Sequence, residues 1–484
     1  MSSLKPKILY QLAVSFLYSA APLIVFPYIS RVLGPEQVGK VNFVDYAAQF
    51  FILFASFGIP FYGVREVARA RTDPQRLRTL ISELLLLHLF ITAISLVFFG
   101  LLVFLQHEAF TERALVWLAV VGIAGSAFGL EWLIHGLEDF AFLARRSFLV
   151  KILSLVLIFV FVREGTDFIR YYGILIGTNL LLLVIDLSYA RKIGFSRPQP
   201  GGARRHLRPL FLFFLTSVIL SIYTFFDTVI LGFISGALAV GFYTTSLKII
   251  RLAHNLIADL GAVLLPRVSH LVEQGHQSEI ERLLNKSLHY VLLITIPLGS
   301  FFYLTSREII LVLGGPEFSG SIPVLQILSI LPLVIGLANI FFIQVLLPFG
   351  EERGLLTGIV LGSIVSIAAN LLLCPLLAER GAAWSCVLAE TVVALFLGVR
   401  SLRRVRFQVR LAQVWQPLIA SILFLPIVLL FRTWSDQLIL VFALQAAGCT
   451  VVYVLMQLLL FRNPVMREIL VFLLGLISRR KPAA

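Results

Sequence analysis

The sequence predicts an all-α integral membrane protein with fourteen transmembrane helices, and three observations carry that prediction. Hydrophobic residues make up 59% of the 484 positions and charged residues 14%, with a mean hydropathy of +0.95, a balance foreign to water-soluble globular domains. Apolar runs of about 20 residues recur from one end of the chain to the other, each long enough to cross a hydrocarbon core of about 30 Å as a helix. The alternating segments of about ten residues that mark a membrane β-barrel are missing from the pattern.

The first six spans run over 8–32, 37–58, 81–106, 113–135, 147–163 and 169–190. Pro22 and Pro27 lie inside the first, where a missing N–H and the ring's clash with the preceding turn predict a kink. The stretch 64–78, VREVARARTDPQRLR, reads as a basic interfacial helix that attracts anionic headgroups, with plain topological anchoring as the alternative. The next six spans run over 209–235, 238–260, 285–304, 321–348, 354–377 and 382–399, and Pro297 predicts a kink in the ninth. A last pair covers 414–432 and 437–461, and a shorter apolar segment from Val465 to Ile477 lies along the interface. Twelve spans is the alternative count, without that pair.

Lys5 and Lys7 precede an apolar stretch in which Ser19-Ala20-Ala21 imitates a signal-peptidase site, but hydrophobicity continues through Pro22 to Val32. The first segment is therefore expected to stay as a membrane helix. Cys374, Cys386 and Cys449 each stand alone in an apolar run, which gives neither a metal-ligand spacing nor a disulfide framework. A net charge of +14 would suit nucleic acid in a soluble protein, yet here the cations lie between spans. With the N-terminus in the cytoplasm, 30 of the 40 Lys and Arg fall in or beside cytoplasmic segments and 8 on the other side. Cytoplasmic termini follow from that asymmetry.

The stretch 191–208, RKIGFSRPQPGGARRHLR, is Pro/Gly-rich and strongly basic, and it separates six spans from the rest. Sliding the sequence by 202 residues superposes Gly34, Val38 and Gly39 on Gly236, Val240 and Gly241, and Arg65 on Arg267. An even number of spans precedes the second copy, so both copies share one orientation. The expected organisation is a six-helix lobe over 1–190, a cytoplasmic linker over 191–208 and a second six-helix lobe over 209–402. The two lobes surround a central cavity, and 403–484 add a helix pair and a cytoplasmic tail.

At this point the sequence resembles the polysaccharide-export, Wzx-type branch of the multidrug/oligosaccharidyl-lipid/polysaccharide exporter superfamily. The carrying residues are RVLGPEQVG over 31–39 and FGIPFYGVREVA over 57–68, with an echo in SGALAVGFY over 235–243. The resemblance implies a flippase that moves an undecaprenyl-diphosphate-linked oligosaccharide to the outer leaflet by alternating access. Many members are described with twelve spans, and the extra pair resembles the related lipid II flippases. Its implied partners are the lipid-linked oligosaccharide, membrane lipids, and the polymerase and chain-length proteins of polysaccharide assembly. No nucleic acid and no cofactor are expected, beyond a coupling H⁺ or Na⁺, and the implied location is a bacterial inner membrane.

Charge inside a span costs about 2.5 kcal/mol or more for a central Lys or Arg, so each case needs a partner or a wet cavity. Lys248 and Arg251 sit in the eighth span, three residues apart on one helical face shared nearly with Leu247 and His254. They are the first candidates for holding a diphosphate, Lys as a point charge and Arg as a bidentate fork. Lys151 and Arg146 in the fifth span are the second candidates. Pairing with buried carboxylates is the structural alternative for Lys248, Arg251 and Lys151, and a positive-inside anchor at the cytoplasmic start of the span is the alternative for Arg146. Among the acidic residues Asp45, Glu83, Glu131, Asp186, Asp227 and Glu390, the preferred ion-coupling pair is Glu131 and Asp227, with Asp45 third. Tyr18, Tyr28, Tyr46, Tyr223 and Tyr243 could stack on sugars, and packing is their ordinary role.

Two other function classes compete. A membrane glycosyltransferase, polymerase or ligase would want a soluble domain or long outer loop carrying acid and base groups, and this chain has neither that nor a Ser-His-Asp order. A drug or cation antiporter of the same superfamily would share the lobes but present an acidic or apolar cavity. The positive charge in the eighth span favours an anionic cargo.

Overall fold

In the computed structural model the backbone is described for residues 4–197, 202, 204–408 and 410–478, and side chains for the same residues apart from 4–23, 212, 216, 220, 253–263 and 472–478. Residues 198–201 and 203 of the 191–208 linker thus lie outside the described residues. Every regular element among them is helical: α1 (Leu4–Ser56), α2 (Ile59–Ala70), α3 (Pro74–Leu105), α4 (Arg113–Ser126), α5 (Glu131–Gly136), α6 (Phe140–Phe161), α7 (Phe168–Ile193) and α8 (Arg204–Glu273) come first. They are followed by α9 (Gln277–Leu304), α10 (Ser306–Leu313), α11 (Ser321–Leu328), α12 (Leu331–Asn339), α13 (Glu352–Leu377) and α14 (Glu379–Leu402). The last are α15 (Ala412–Ile422), α16 (Phe424–Arg432), α17 (Leu438–Leu455) and α18 (Pro464–Ser478).

Among the described residues ten helices are long and apolar enough to cross a membrane, or eleven if Pro316–Leu328 and Leu331–Leu346, bent by 43°, form one broken span. The protein is a multi-pass, all-helical membrane protein. The break at Leu328–Leu331 interrupts what the sequence presented as one run over 321–348. Pro22 and Pro27 do not take α1 off helical backbone angles, whereas Gly34 does, at φ 74° and ψ 169°. A proline φ is compatible with a helix even without its N–H, while a positive φ is not.

Chain packing divides the protein into two compact units, Met1–Thr244 with Asn370–Glu379, and Thr245–Ala369 with Arg380–Ala484. In the first unit α3 shows how lipid inverts ordinary amphipathicity. Its start is fixed by Asp73, whose side chain accepts from the backbone N–H groups of Gln75 and Arg76, with Pro74 in the first helical turn. Farther along, Phe90, Val97, Phe98, Leu101 and Phe104 are exposed, while His88, Thr92 and Ser95 are buried. Water would make that apolar stripe a liability, and lipid makes it the solvated face. The polar stripe points inward, where the Ser95 hydroxyl donates to the Phe51 carbonyl at 2.8 Å.

Helices α2 and α5 meet through glycines. A Cβ on Gly63 would sit 2.5 Å from the Trp132 ring, and one on Gly136 2.6 Å from Val67. Trp132 and Val67 belong with Ile59, Leu77, Ile81, Leu84 and Leu133 to the core of this end of the unit. The FGIPFYGVREVA segment is therefore packing sequence as much as charged surface.

In the second unit the final helix pair is built into the fold. Ala420, Phe424, Val428, Cys449 and Tyr453 share a core with Leu293 of α9, whose carbonyl accepts from the Tyr453 hydroxyl at 2.6 Å. Arg432, at the end of α16, forks onto the fully buried Glu308 of α10, with the second contact at 3.0 Å. Helix α18 is tied to α9 by Glu468, which takes Lys286 at 2.6 Å and the Tyr290 hydroxyl at 2.8 Å. Those two donors hold the Glu468 carboxyl below its ordinary pKa.

Candidate substrate and ion-coupling sites

The RVLGPEQVG motif and its echo form one construction in the first unit. Gly34 breaks α1 at φ 74°, ψ 169°, and Gly236 breaks α8 at φ 78°, ψ −178°, the same backbone geometry 202 residues later. Only glycine adopts such angles without strain, which is why the repeat keeps it at both places. Beyond each break the helices cross at backbone contact. A Cβ on Gly39 would overlap the carbonyl oxygen of Ala237, and one on Gly241 would overlap that of Pro35. Next to the crossing, Asn42 donates from Nδ2 to Thr244 Oγ1 at 2.8 Å, a buried bond between residues 202 apart.

Asp227 lies in α8 upstream of Gly236 and is buried. Its Oδ1 accepts from Asn370 Nδ2 at 2.9 Å and its Oδ2 from the Tyr243 hydroxyl at 3.4 Å. Cys374 stands one turn beyond Asn370, with its Sγ 3.2 Å from Asn370 Oδ1. Tyr243 is fully buried in this set, and Tyr28 donates to the Val162 carbonyl at 2.6 Å, so both hydroxyls are engaged in the fold. Asp45, half-buried in α1, lies beside Tyr171 and Tyr172 of α7.

Lys248 and Arg251 sit past the Thr244/Thr245 boundary, in the second unit, and both are half-buried. Their helix is otherwise closely packed, with Thr245, Ser246, Ile249 and Ile250 buried and the Ser246 hydroxyl donating to the Ser321 carbonyl at 2.9 Å. The two cations thus stand half-buried beside these buried positions of the same helix. The side chain of His254, and that of Tyr18 in α1, lie outside the described residues.

In the first unit Arg146 and Glu131, which the sequence offers for separate roles, are ion partners. Arg146 is 3% exposed, and its two terminal nitrogens reach Glu131 Oε2 at 3.0 Å and Asp186 Oδ1 at 3.1 Å. Asp186 is 2% exposed, whereas Glu131 is 58% exposed and also meets His135 at 3.4 Å. Two carboxylates share one guanidinium, an arrangement in which a proton can be taken up without leaving Arg146 unpaired. Removing one member of such a buried pair costs about 3–5 kcal/mol, since the other is left uncompensated. Lys151, a little over one turn farther along α6, is half-buried.

A further charged set joins α3 to the start of α8. Glu83 is fully buried, and its Oε2 receives Arg205 at 2.6 Å and His206 Nε2 at 2.9 Å. His206 Nδ1 is 2.7 Å from the Tyr62 hydroxyl, and Arg65 lies over the Tyr62 and Phe213 rings at 5.3 and 5.6 Å. The residues that join Glu83 lie 122 and 123 positions away, so no local spacing announces the set. Among the described residues no group of three His, Cys, Asp or Glu could hold a metal ion.

The chain matches the family described as Polysaccharide biosynthesis protein over residues 4–272. It is 25% identical over 397 residues to a protein of Escherichia coli (strain K12) named as an O-antigen transporter, a match covering 81% of this chain and 95% of that one. Its fold is similar to that of the lipid II flippase MurJ in an inward closed conformation, with a TM-score of 0.76, 15% identity, and 94% of this chain and 99% of that one covered. It is also similar to an inward-facing multidrug resistance MATE family transporter of the MOP superfamily, with a TM-score of 0.59, 16% identity, and coverage of 82% and 94%. These three relatives are transporters or flippases by name. The family match spans more than half of the residues and contains the paired glycine breaks: the chain belongs to the polysaccharide biosynthesis protein family, in the polysaccharide-export branch of the multidrug/oligosaccharidyl-lipid/polysaccharide exporter superfamily.

Proposed function

We propose that this protein is a flippase for an undecaprenyl-diphosphate-linked oligosaccharide, an O-antigen or exopolysaccharide repeat unit, moved from the cytoplasmic to the outer leaflet by alternating access. The observation that carries the reading is the half-buried pair Lys248 and Arg251 within an apolar helix of a chain from this family. A membrane-embedded cation pair suits a diphosphate. The same pair disfavours the rival reading, a cation- or proton-coupled drug antiporter, which the shared MATE-like fold would otherwise allow.

In this reading the organisation is two similar six-helix lobes followed by a helix pair, with fourteen crossings. Ile24–Ala70 and Phe213–Leu252 each supply two crossings, on either side of Gly34 and Gly236. The bent pair supplies one, and Phe140–Phe161, with its three cations, supplies another. Lys248 and Arg251 take the diphosphate, and Lys151, in the first unit, is the second candidate for the cargo. Arg146 works with Glu131 and Asp186 in ion coupling, and Asp227 and Asp45 are the other coupling candidates. The polymerase and chain-length proteins of polysaccharide assembly are the expected partners in a bacterial inner membrane.

The test is transport in proteoliposomes loaded with a lipid-linked oligosaccharide and probed by a lectin that meets one leaflet only. Lectin-accessible glycan should appear at a rate that depends on protein and on an imposed H⁺ or Na⁺ gradient. A rate equal to that of protein-free vesicles under both gradients would refute the flippase reading. The orientation is checked separately, with reporter fusions after Lys192 and after Lys481. Both should report cytoplasm, and an external signal from either would overturn the assigned topology.

A further inference from the structure

A cavity of about 390 Å³ lies in the first unit beside the two glycine breaks. It is within the range of small-molecule sites, roughly 300–1,000 Å³. Three segments wall it: α1 just after Gly34, the turn between α3 and α4 from Gln106 to Glu112, and α8 just before Gly236. The turn supplies Gln106, Glu108 and Thr111, all exposed. The helices supply Phe43 and Phe233, which cluster with Phe110 at centroid separations of 5.1, 5.2 and 6.0 Å.

The cation of the cavity is already committed. Lys40 is held by Glu112 at 3.0 Å and Glu36 at 3.4 Å. An anion would therefore meet a neutralised ammonium and the free charge of Glu108, and an anionic ligand is disfavoured. A hydrocarbon chain would leave the amide, hydroxyl and carboxylate of the turn without partners. The surface that remains combines the exposed amide, carboxylate and hydroxyl of the turn with the part-exposed ring of Phe233, which is backed by the buried rings of Phe43 and Phe110. A sugar ring fits that pairing, because it presents C–H groups on its faces and hydroxyls around its edge, the latter able to use both the donors and acceptors of Gln106 and the acceptors of Glu108.

We infer that this cavity is a saccharide subsite for one or two neutral sugar rings of the translocated glycan, engaged at the outer side of the membrane. The inference rests on the flippase reading for the identity of the cargo and for the outward side, and on the cavity itself for the class of ligand. Its position beside Gly34 and Gly236 places glycan contact next to the crossing of α1 and α8, so an occupied subsite would feel any movement of that crossing.

Wild-type protein in nanodiscs is titrated with N-acetylglucosamine, galactose and chitobiose by saturation-transfer NMR, alongside Ala109→Trp, which fills the cavity, and the double variant Gln106→Ala/Glu108→Ala, which removes two of the three polar side chains of its turn. At least one sugar should bind wild type saturably in the millimolar range and about tenfold more weakly to both variants, with unfolding temperatures near that of wild type. If either variant fails to fold, the other decides. Wild type that binds none of the three sugars overturns the subsite, and so do folded variants that bind as wild type does. The same preparations are assayed for transport in proteoliposomes. Transport without sugar binding defeats the subsite and leaves the flippase reading standing, while sugar binding without transport does the reverse.

Discussion

Lys248→Gln and Arg251→Gln should each lower the rate of lipid-linked oligosaccharide flipping by tenfold or more, while the protein still inserts and accumulates as wild type does. The reason is energetic. A charge-assisted contact to a phosphate is about twice as strong as a neutral hydrogen bond, and losing about 1.4 kcal/mol of it in the transport barrier already gives a factor of ten. Two contacts of moderate strength also satisfy the opposing demand on a carrier, which must release its anion after switching. Lys248→Arg should retain part of the activity, because it keeps the charge. Arg204→Gln, one of many cations in the basic linker, should change little. If both neutral variants transport at the wild-type rate, the cations are structural and the diphosphate site lies elsewhere.

Gly39→Ala and Gly241→Ala should each destabilise the protein strongly, by about 3 kcal/mol or more. The methyl group would collide with a backbone carbonyl, of Ala237 or Pro35, and a backbone cannot step aside as a side-chain end can. Gly177→Ala is the internal control. Nothing lies within 4 Å of its added Cβ, and in a helix Gly→Ala gains about 0.5–1 kcal/mol. Thermal unfolding of the three variants in one detergent separates the outcomes. Gly39→Ala melting at or above wild type would mean that the crossing is looser than its geometry.

What the sequence disclosed was local or periodic. Long apolar runs placed the helices, and a 202-residue shift picked out the glycines that break α1 and α8. Those signals survive because the requirement acts on the residue itself: a positive φ needs glycine wherever the chain goes next. The pairings between helices were out of reach. Arg146 looked like an anchor at the start of a span, and only the juxtaposition of α5, α6 and α7 shows it between Glu131 and Asp186. Glu83 stood out as an acidic residue within an apolar run, but its partner His206 lies 123 residues away, and which faces meet cannot be read from either helix alone. The prolines of α1 keep helical backbone angles while Gly34 leaves them, since a proline φ lies within the helical range and a positive φ does not.

The contacts at the α1–α8 crossing come in reciprocal form. Gly39 meets Ala237, Gly241 meets Pro35, and Ala237 stands to Pro35 as Gly241 stands to Gly39, each displaced by the same interval along the chain. That is the isologous pattern of a two-fold homodimer, written into a single polypeptide. In a true dimer one substitution appears on both sides of the axis at once, so a helpful or harmful change is always doubled. Here each side can vary alone, and the chain is free to fit one side of the contact to the hydrogen-bonded set around Asp227 while the other takes different neighbours. The crossing itself has no such freedom, because each glycine is the only residue that the opposing backbone admits.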